Sequence, residues 1–488
     1  MLFRLGVAVA IILAATWLLR RWADRATVRA VRRFRARVDR FKLTSKRYIR
    51  DALLGDERIV AAVRAHATEH AIGEAEAWRR VRGYIDEIVP FFNILMYYEI
   101  GYTASRVLLN LFYKVTVEQA DPAALRALPK ESIVVYLFNH RSNADYVLAG
   151  YALAGNVSIS YAVGEWARVF PLEYLFKSFG SYFVRRRYRE PLYHAVLERY
   201  VQLITRNGVT QGIFPEGGLT RDGRLRAPKI GLLDYILGVA REPGFAERMY
   251  LVPVALNYDR VLEDRTLLRE LRMMDRGRRG KVAGLASVVR YVVWGAGRIF
   301  ARRWKRYGRA AVTIGAPIPL ADWFAQRTPS GQSIWDFPRE ERLPLVQALA
   351  DRVMQEIGRL VPVTPVPLAC AALQTFDAEY VSRAELLERM DELRDALREV
   401  NARVVRGDRD IAEQFDRAYR MLRMRRVVAR SGDAYVVLPR GRELVSYYAN
   451  SIAHVLGAYE APIARRDALR DALVGSETRG TGGLPLPP

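Results

Sequence analysis

A chain of 488 residues, 51% of them hydrophobic, has room for two or three domains and a large core, which excludes a disordered polypeptide. Its 77 basic residues against 53 acidic ones leave a formal charge of +24, so the expected partner is anionic: nucleic acid, anionic lipid or a phosphorylated substrate. The single cysteine, Cys370, excludes an intrachain disulfide and a thiolate metal cluster, and five histidines leave little room for a histidine-rich metal site.

No charge interrupts residues 5–19. The run is short for a spanning helix, which needs ~17–25 residues. Ala8-Val9-Ala10, the small-x-small pattern of a cleavage site, lies inside the run rather than after it. Residues 1–22 therefore read as an uncleaved membrane anchor or an interfacial helix. Arg20, Arg21, Arg25, Arg29, Arg32 and Arg33 follow, which places the body of the chain on the cytoplasmic side.

Residues 23–115 read as a helical N-terminal region, with apolar positions at helical spacing and few Gly or Pro. Within it, His66-Ala-Thr-Glu69-His70 has the spacing of one class of zinc site. No third ligand is identifiable, and these residues are expected on a solvated helix face. The aromatic stretch 90–98 reads as core or as a surface that dips into a membrane.

Further on, short apolar runs (157–163, 180–184, 211–214, 251–256 and 312–314) alternate with helical segments. This predicts an α/β domain over 116–325, with a mostly parallel central sheet flanked by helices. An arginine-dense insertion at 262–307 reads as helical, either solvated or resting on anionic lipid. Residues 326–474 read as a helical C-terminal region holding an amphipathic helix at 384–400 and a short strand at 434–438; the Gly/Pro-rich tail 475–488 reads as disordered. Breaker clusters at 328–331 and 362–367 are candidate boundaries.

Four stretches carry chemistry. The first runs Val134-Val-Tyr-Leu-Phe-Asn139-His140-Arg141-Ser142-Asn143-Ala144-Asp145, a buried strand followed by a helix that Ser142 or Asn143 opens. His140 falls at the strand's carboxyl end and Asp145 in the first helical turn, where open α/β sheets place ligands. The second is a strand ending in Arg185, Arg186 and Arg187, which suits either a phosphate clamp or an exposed basic turn. The third, Phe214-Pro-Glu216-Gly217-Gly218-Leu219-Thr220-Arg221, ends a strand in glycines that let backbone N–H groups approach an anion, with Arg221, Arg224 and Lys229 adding charge. The fourth, Leu251-Val-Pro253-Val-Ala-Leu-Asn-Tyr-Asp259, is a buried strand whose apolar part reads as ordinary core and whose carboxyl end is a candidate lining for an acyl or acceptor pocket.

In this order, His-x4-Asp, Gly-x-x-Phe-Val-Arg-Arg, Phe-Pro-Glu-Gly-Gly-x-Thr-Arg and Val-Pro-Val resemble the four motif blocks of the glycerolipid acyltransferases, in particular the membrane-bound bacterial glycerol-3-phosphate acyltransferases and their dihydroxyacetone-phosphate relatives. Residues 223–233 and Ser446-Tyr-Tyr-Ala-Asn450-Ser-Ile-Ala-His454 are similar to stretches of the same branch. The resemblance implies acyl transfer from acyl-CoA or acyl-carrier protein to the sn-1 hydroxyl of glycerol 3-phosphate. The expected place is the cytoplasmic face of a bacterial inner membrane, with an anionic lipid surface as partner. No metal or other cofactor is implied, and no nucleic acid, since no zinc finger, helix-turn-helix or RNA-binding pattern stands out.

It also implies roles. His140 is the candidate base and Asp145 its orienting partner. Arg185, Arg186, Arg221 and Lys229 are candidates for the acceptor phosphate, and Glu216 for orienting an arginine or an acceptor hydroxyl. Gly217, Gly218 and Pro253 complete the expected substrate site, and backbone N–H groups near the helix start are candidate oxyanion donors. One departure stands out: the family's third block has Arg directly after its Gly pair, and here Leu219 takes that place. The acceptor is therefore open to 1-acylglycerol 3-phosphate or dihydroxyacetone phosphate, and a non-catalytic basic membrane-surface protein is the remaining alternative.

Overall fold

The structure is a computed structural model that describes residues 40–457, apart from 95, 154–156, 170, 186–187, 276–305 and 330–331. The expected anchor, Arg186, most of the arginine-dense insertion and the tail lie outside the described residues. Two compact units are present. One runs to Arg221 and resumes over Arg226–Pro362; the other comprises Asp222–Leu225 and the chain from Val363 onward.

The first unit is built on an eight-stranded sheet. Its strands are β1 (Lys114–Gln119), β2 (Ile133–Phe138), β3 (Ser160–Gly164), β4 (Tyr182–Val184), β5 (Gln211–Ile213), β6 (Met249–Tyr258), β7 (Arg309–Ile314) and β8 (Ile318–Pro319). The order is β1-β7-β6-β2-β5-β3-β4, with β8 beside β6. Pairings are parallel except β6 with β7 and β6 with β8, so the sheet is mostly parallel, as expected. Every residue of β2 is buried, the pattern of a central strand covered on both faces. Strands β2 to β6 all point the same way, so their carboxyl ends meet along one edge of the sheet. That edge receives all four sequence blocks.

Proline is unusual in a central strand because it cannot donate to the ladder. Pro253 is accommodated by its register. Its carbonyl accepts from the Gly315 N–H at 2.8 Å, so its own nitrogen faces the turn between β7 and β8 rather than β2.

Strand β1 was not expected; the predicted domain boundary at 115/116 cuts through it. Its sequence, Lys-Val-Thr-Val-Glu-Gln, is that of a partly exposed edge strand with charges at both ends, which blunts further pairing. The N-terminal helices belong to the same unit. Ser45 caps Lys46–Leu54 and Asp56 caps Glu57–Glu69, each accepting from backbone N–H groups of the first turn. Glu57–Glu69 and Glu74–Ile88 pack on Pro191–Arg206. That packing corrects the solvated reading of the histidine pair. His70 is exposed, but His66 is buried, with Nε2 3.5 Å from Glu190 and 3.4 Å from Arg80. The aromatic stretch contributes core: Tyr97 and Tyr98 are buried and pack with Phe92, Ile94 and Phe179.

The unit boundary falls at 362/363, in the second breaker cluster rather than at 325/326. The helix Arg339–Leu360 packs along β6, and Leu360 lies against Gly315, which ties this segment to the sheet.

In the second unit, Pro365–Gln374 is buried along all but its last residue. Its prolines occupy the first turn, where backbone N–H groups need no helical partner. Around it stand Arg383–Glu399, Ile411–Met424 and Arg442–Leu456. A small antiparallel sheet, β9 (Tyr380–Ser382), β10 (Val428–Ser431) and β11 (Ala434–Val437), is ordered β10-β11-β9. Only β11 was expected from sequence.

Candidate active site

The loop between β2 and the helix Asp145–Leu153 is held in a defined conformation by the amides from His140 to Asp145 and by the Asn139 side chain. Just past the strand, the Asn139 side chain behaves like one more peptide of the ladder: Nδ2 donates to the Leu256 carbonyl at 3.0 Å, and Oδ1 accepts from the Leu256 N–H at 2.7 Å. The His140 N–H donates to Glu216 Oε1 at 2.9 Å. The N–H groups of Arg141 and Ser142 donate to Asp145 Oδ2 at 2.7 and 3.0 Å. Asn143 donates to Glu263 Oε1 at 3.2 Å, Ala144 to Ser142 Oγ at 3.1 Å, and Asp145 to the Ser142 carbonyl at 3.0 Å. Each of these amides is already engaged, so the expectation that they receive a thioester oxyanion has no support here.

Into this frame the loop folds His140 back onto Asp145, with Nδ1 2.9 Å from Oδ2. Both side chains are almost wholly buried, at 1% and 0% exposure. Tyr258, at the carboxyl end of β6, donates its hydroxyl to Asp145 Oδ1 at 2.6 Å. Four donors thus converge on one carboxylate, which serves as acceptor to all of them. The Nδ1 of His140 therefore carries the proton, which leaves Nε2 as the basic nitrogen. The imidazole lies against Phe214, ring centroids 4.2 Å apart, and edge-on to Tyr146 at 5.6 Å. An imidazole oriented in this way can take a proton from a hydroxyl and return it to a leaving group.

Tyr258 was missed at the sequence level as a site residue; its place at the carboxyl end of the fourth block was the available signal. Burial and the neighbouring Asp145 push its phenol well above the ordinary range, so it remains a donor.

Glu216 sits in the third block with 1% exposure. Oε1 accepts from His140 as above, and Oε2 accepts from the Arg226 N–H at 3.1 Å. Burial raises its carboxyl to about 7, against the lowering effect of the His140 N–H. In this geometry Glu216 braces the histidine backbone. The loop is tied further by Thr220, whose N–H donates to the His140 carbonyl at 3.0 Å. Gly217 has φ +65°, a backbone conformation that favours glycine, and the stem of Lys229 passes 2.9 Å from where a Cβ would stand. Gly218 follows, half-buried.

The candidate phosphate cations differ in how they are engaged. Arg185 Nε and Nη2 reach the two oxygens of Glu87 at 2.8 and 2.5 Å, and its guanidinium stacks 4.6 Å from the Tyr188 ring. Arg168 also bonds Glu87, at 3.0 Å. Arg221 pairs with Glu270 at 3.2 Å. The exposed Lys229 ammonium has no ion pair or hydrogen-bond partner among the described residues, and its stem crosses Gly217. Pro253 is buried within β6, at the register position of Leu137. Arg221 and Lys229 therefore flank the Glu216 turn, whereas Arg185 is held among Glu87, Tyr84, Tyr188 and Tyr193.

In the second unit, Asp222–Leu225 is gripped by the tyrosine-rich stretch. Asn450 Nδ2 donates to the Asp222 carbonyl at 2.9 Å, and Gly223, at φ +87°, lies so close to the Tyr447 carbonyl that a Cβ would fall 1.9 Å from it.

Two family models match the chain: Acyltransferase over residues 119–257, and Glycerol-3-phosphate acyltransferase C-terminal region over residues 293–463. A glycerol-3-phosphate acyltransferase of Aeromonas hydrophila is 28% identical over 423 residues, covering 85% of this chain and 50% of the relative. One of Shewanella woodyi is 30% identical over 349 residues, covering 70% of this chain and 41% of the relative. The chain thus spans about half the length of the curated relatives it matches. A solved 1-acyl-sn-glycerophosphate acyltransferase from Thermotoga maritima is 17% identical, with a TM-score of 0.32, over 54% of this chain and 80% of that one.

Proposed function

The chain belongs to the glycerol-3-phosphate acyltransferase family by its two matched regions, and from that premise we propose that it transfers a fatty acyl group from a thioester to the sn-1 hydroxyl of glycerol 3-phosphate. The product is lysophosphatidate. The observation that carries the reading is the buried His140–Asp145 pair, 2.9 Å apart at the carboxyl edge of a mostly parallel sheet.

The chemistry follows from that pair. A hydroxyl is a poor nucleophile near neutral pH, so its proton must leave as its oxygen attacks the thioester carbonyl carbon. His140 Nε2 takes the proton, and Asp145 holds the ring and stabilises the imidazolium. The tetrahedral adduct collapses with cleavage of the C–S bond, and the proton passes from His140 to the departing sulfur. Ester and thiol result, with no change of oxidation state.

Lys229 and Arg221 are the proposed contacts for the acceptor phosphate. Arg186, which follows the Arg185–Glu87 pair in sequence, is retained as a further candidate. The donor is acyl-CoA or acyl-carrier protein. The net charge of +24 supports work at an anionic membrane surface, proposed as the cytoplasmic face of a bacterial inner membrane. No helix among the described residues is long and apolar enough to cross a bilayer. Leu219, in the place of an arginine beside the glycine pair, favours keeping 1-acylglycerol 3-phosphate and dihydroxyacetone phosphate as second readings of the acceptor.

The test is a thioester-dependent assay on the full chain in membranes, with all three acceptors. His140→Ala is expected to lower kcat by on the order of a hundredfold or more, at unchanged expression. Full activity in that variant would sink the mechanism, and the acceptor panel decides the alcohol.

A further inference from the structure

Glu263 lies outside all four sequence blocks. It stands five residues beyond β6, where its carbonyl accepts the first amides of the helix Asp264–Asp275, from Thr266 at 2.8 Å and Leu267 at 2.9 Å. That is the N-cap position of a helix, for which short side chains such as Ser, Asp and Asn are preferred and glutamate is not. Beyond a hydrogen bond from its own backbone N–H, the described contacts of its carboxyl group run to the catalytic loop. Oε2 accepts from the Ser142 hydroxyl at 2.7 Å and Oε1 from the Asn143 N–H at 3.2 Å, with 7% of the residue exposed.

These contacts fall on Ser142 and Asn143, two of the three residues between Arg141 and Asp145. Ser142 is the pivot of the turn: its N–H reaches Asp145 Oδ2, its Oγ accepts from Ala144, and its carbonyl accepts from Asp145. Fixing its hydroxyl fixes all three. Placing a second acid here is also costly, because Asp145 is close enough to repel its charge; burial and that repulsion raise the Glu263 carboxyl to about 7. A group held at such a cost, in a position where capping does not call for it, is explained by what it holds.

We propose that Glu263 is a positioning residue for the acyl transfer: it clamps the Ser142–Asn143 turn so that Asp145 is presented to His140 in the catalytic geometry. The proposal rests on the acyl-transfer reading above. Glu263 touches neither reacting group, so its loss acts on turnover rather than on acceptor binding.

The experiment compares the wild-type chain with Glu263→Ala, Glu263→Gln, Ser142→Ala and the Glu263→Ala/Ser142→Ala double variant, measuring kcat and the acceptor KM in membranes. Glu263→Ala leaves a buried hydroxyl and amide without their partner, and kcat is expected to fall on the order of ten- to hundredfold with KM little changed. Glu263→Gln can accept from Asn143 and donate to Ser142 Oγ, and should restore most of that loss. The double variant should lose less than the product of the two single losses, since the two side chains share the Ser142–Glu263 hydrogen bond. Wild-type kcat in Glu263→Ala, or a rise in acceptor KM shared by the Ala and Gln variants, overturns the proposal. Should Glu263→Ala fail to fold, Ser142→Ala carries the test, and wild-type kcat there overturns it. A readout without substrate separates the two levels. The low-field proton resonance of the His140–Asp145 hydrogen bond, assigned by its loss in His140→Ala, should shift in Glu263→Ala and persist in Glu263→Gln. If the wild-type chain acylates no acceptor, the acyl-transfer reading fails, and this resonance alone decides whether Glu263 positions the pair; no shift in Glu263→Ala overturns it.

Discussion

The Tyr258 hydroxyl donates to Asp145 Oδ1 at 2.6 Å, so the last residue of one strand supports the carboxylate that orients the histidine at the end of its neighbour. The tyrosine is fully buried, at 0% exposure, and the hydrogen bond is to a group that water does not reach. Tyr258→Phe keeps the packing and removes only the donor. Losing a buried hydrogen bond to a charged group costs about 1.5–3 kcal/mol, so kcat should drop on the order of ten- to hundredfold while the acceptor KM holds. Steady-state kinetics on the two proteins checks this; unchanged kcat would show that the remaining donors suffice.

Two buried glutamates make stability depend on pH with a definite sign. Glu216 and Glu263 each stand at about 7 in the folded chain against an unperturbed 4.5. Between those values the unfolded chain has released protons that the folded chain still binds, so stability falls as pH rises from about 4.5 to about 7 and changes no further above it on their account. Thermal unfolding at constant ionic strength should therefore show a lower Tm at pH 7.5 than at pH 5. Glu263→Gln should flatten that slope by its own share. A Gln variant with the wild-type slope would contradict the raised carboxyl.

Lys229 and Arg185 are expected to separate binding from stability. The lysine ammonium has no protein partner among the described residues, beside the Gly217 turn, so Lys229→Ala should raise the KM for a phosphorylated acceptor several-fold and leave Tm nearly unchanged. Arg185→Ala instead strips the mostly buried Glu87 of a two-pronged partner, leaving Arg168. Breaking such a pair leaves an under-compensated buried charge, so Tm should fall by several degrees. Arg185→Lys should recover only part, because an ammonium cannot match both oxygens at once. An unchanged acceptor KM in Lys229→Ala would remove it from the phosphate site.

Gly223 tolerates no side chain. Its φ of +87° already disfavours other residues, and a Cβ would overlap the Tyr447 carbonyl at 1.9 Å. Gly223→Ala must therefore displace the 222–225 segment from Tyr447 and Asn450. Limited proteolysis is expected to cut this variant within that segment under conditions where the wild-type chain stays intact. Equal resistance in both proteins would show that the segment accommodates a methyl group.

Much of the site is local and hence legible in the chain. The alternation of apolar runs with helical segments predicts a parallel sheet because strand and helix periodicities are properties of neighbouring residues. His140 and Asp145 are five residues apart, so one strand–turn–helix is enough to bring them together. Strand β1 escaped notice because an edge strand with one partly wet face carries little hydrophobic signal. His66 was misread because helical spacing gives a face but not what packs on it.

The class of fold, the order of the four blocks and the His140–Asp145 pair proposed to do the chemistry are readable from the chain alone. The side chains that support that pair come from far along the chain. Glu216 meets the His140 amide across 76 residues, Tyr258 meets Asp145 across 113, and Glu263 meets Ser142 across 121. Such meetings depend on strand order and register, with β5 and β6 on either side of β2 and all three pointing the same way. Local periodicity is blind to which strand lies beside which. Sheet topology is what turned two distant glutamates and a tyrosine into the frame around one histidine and its aspartate.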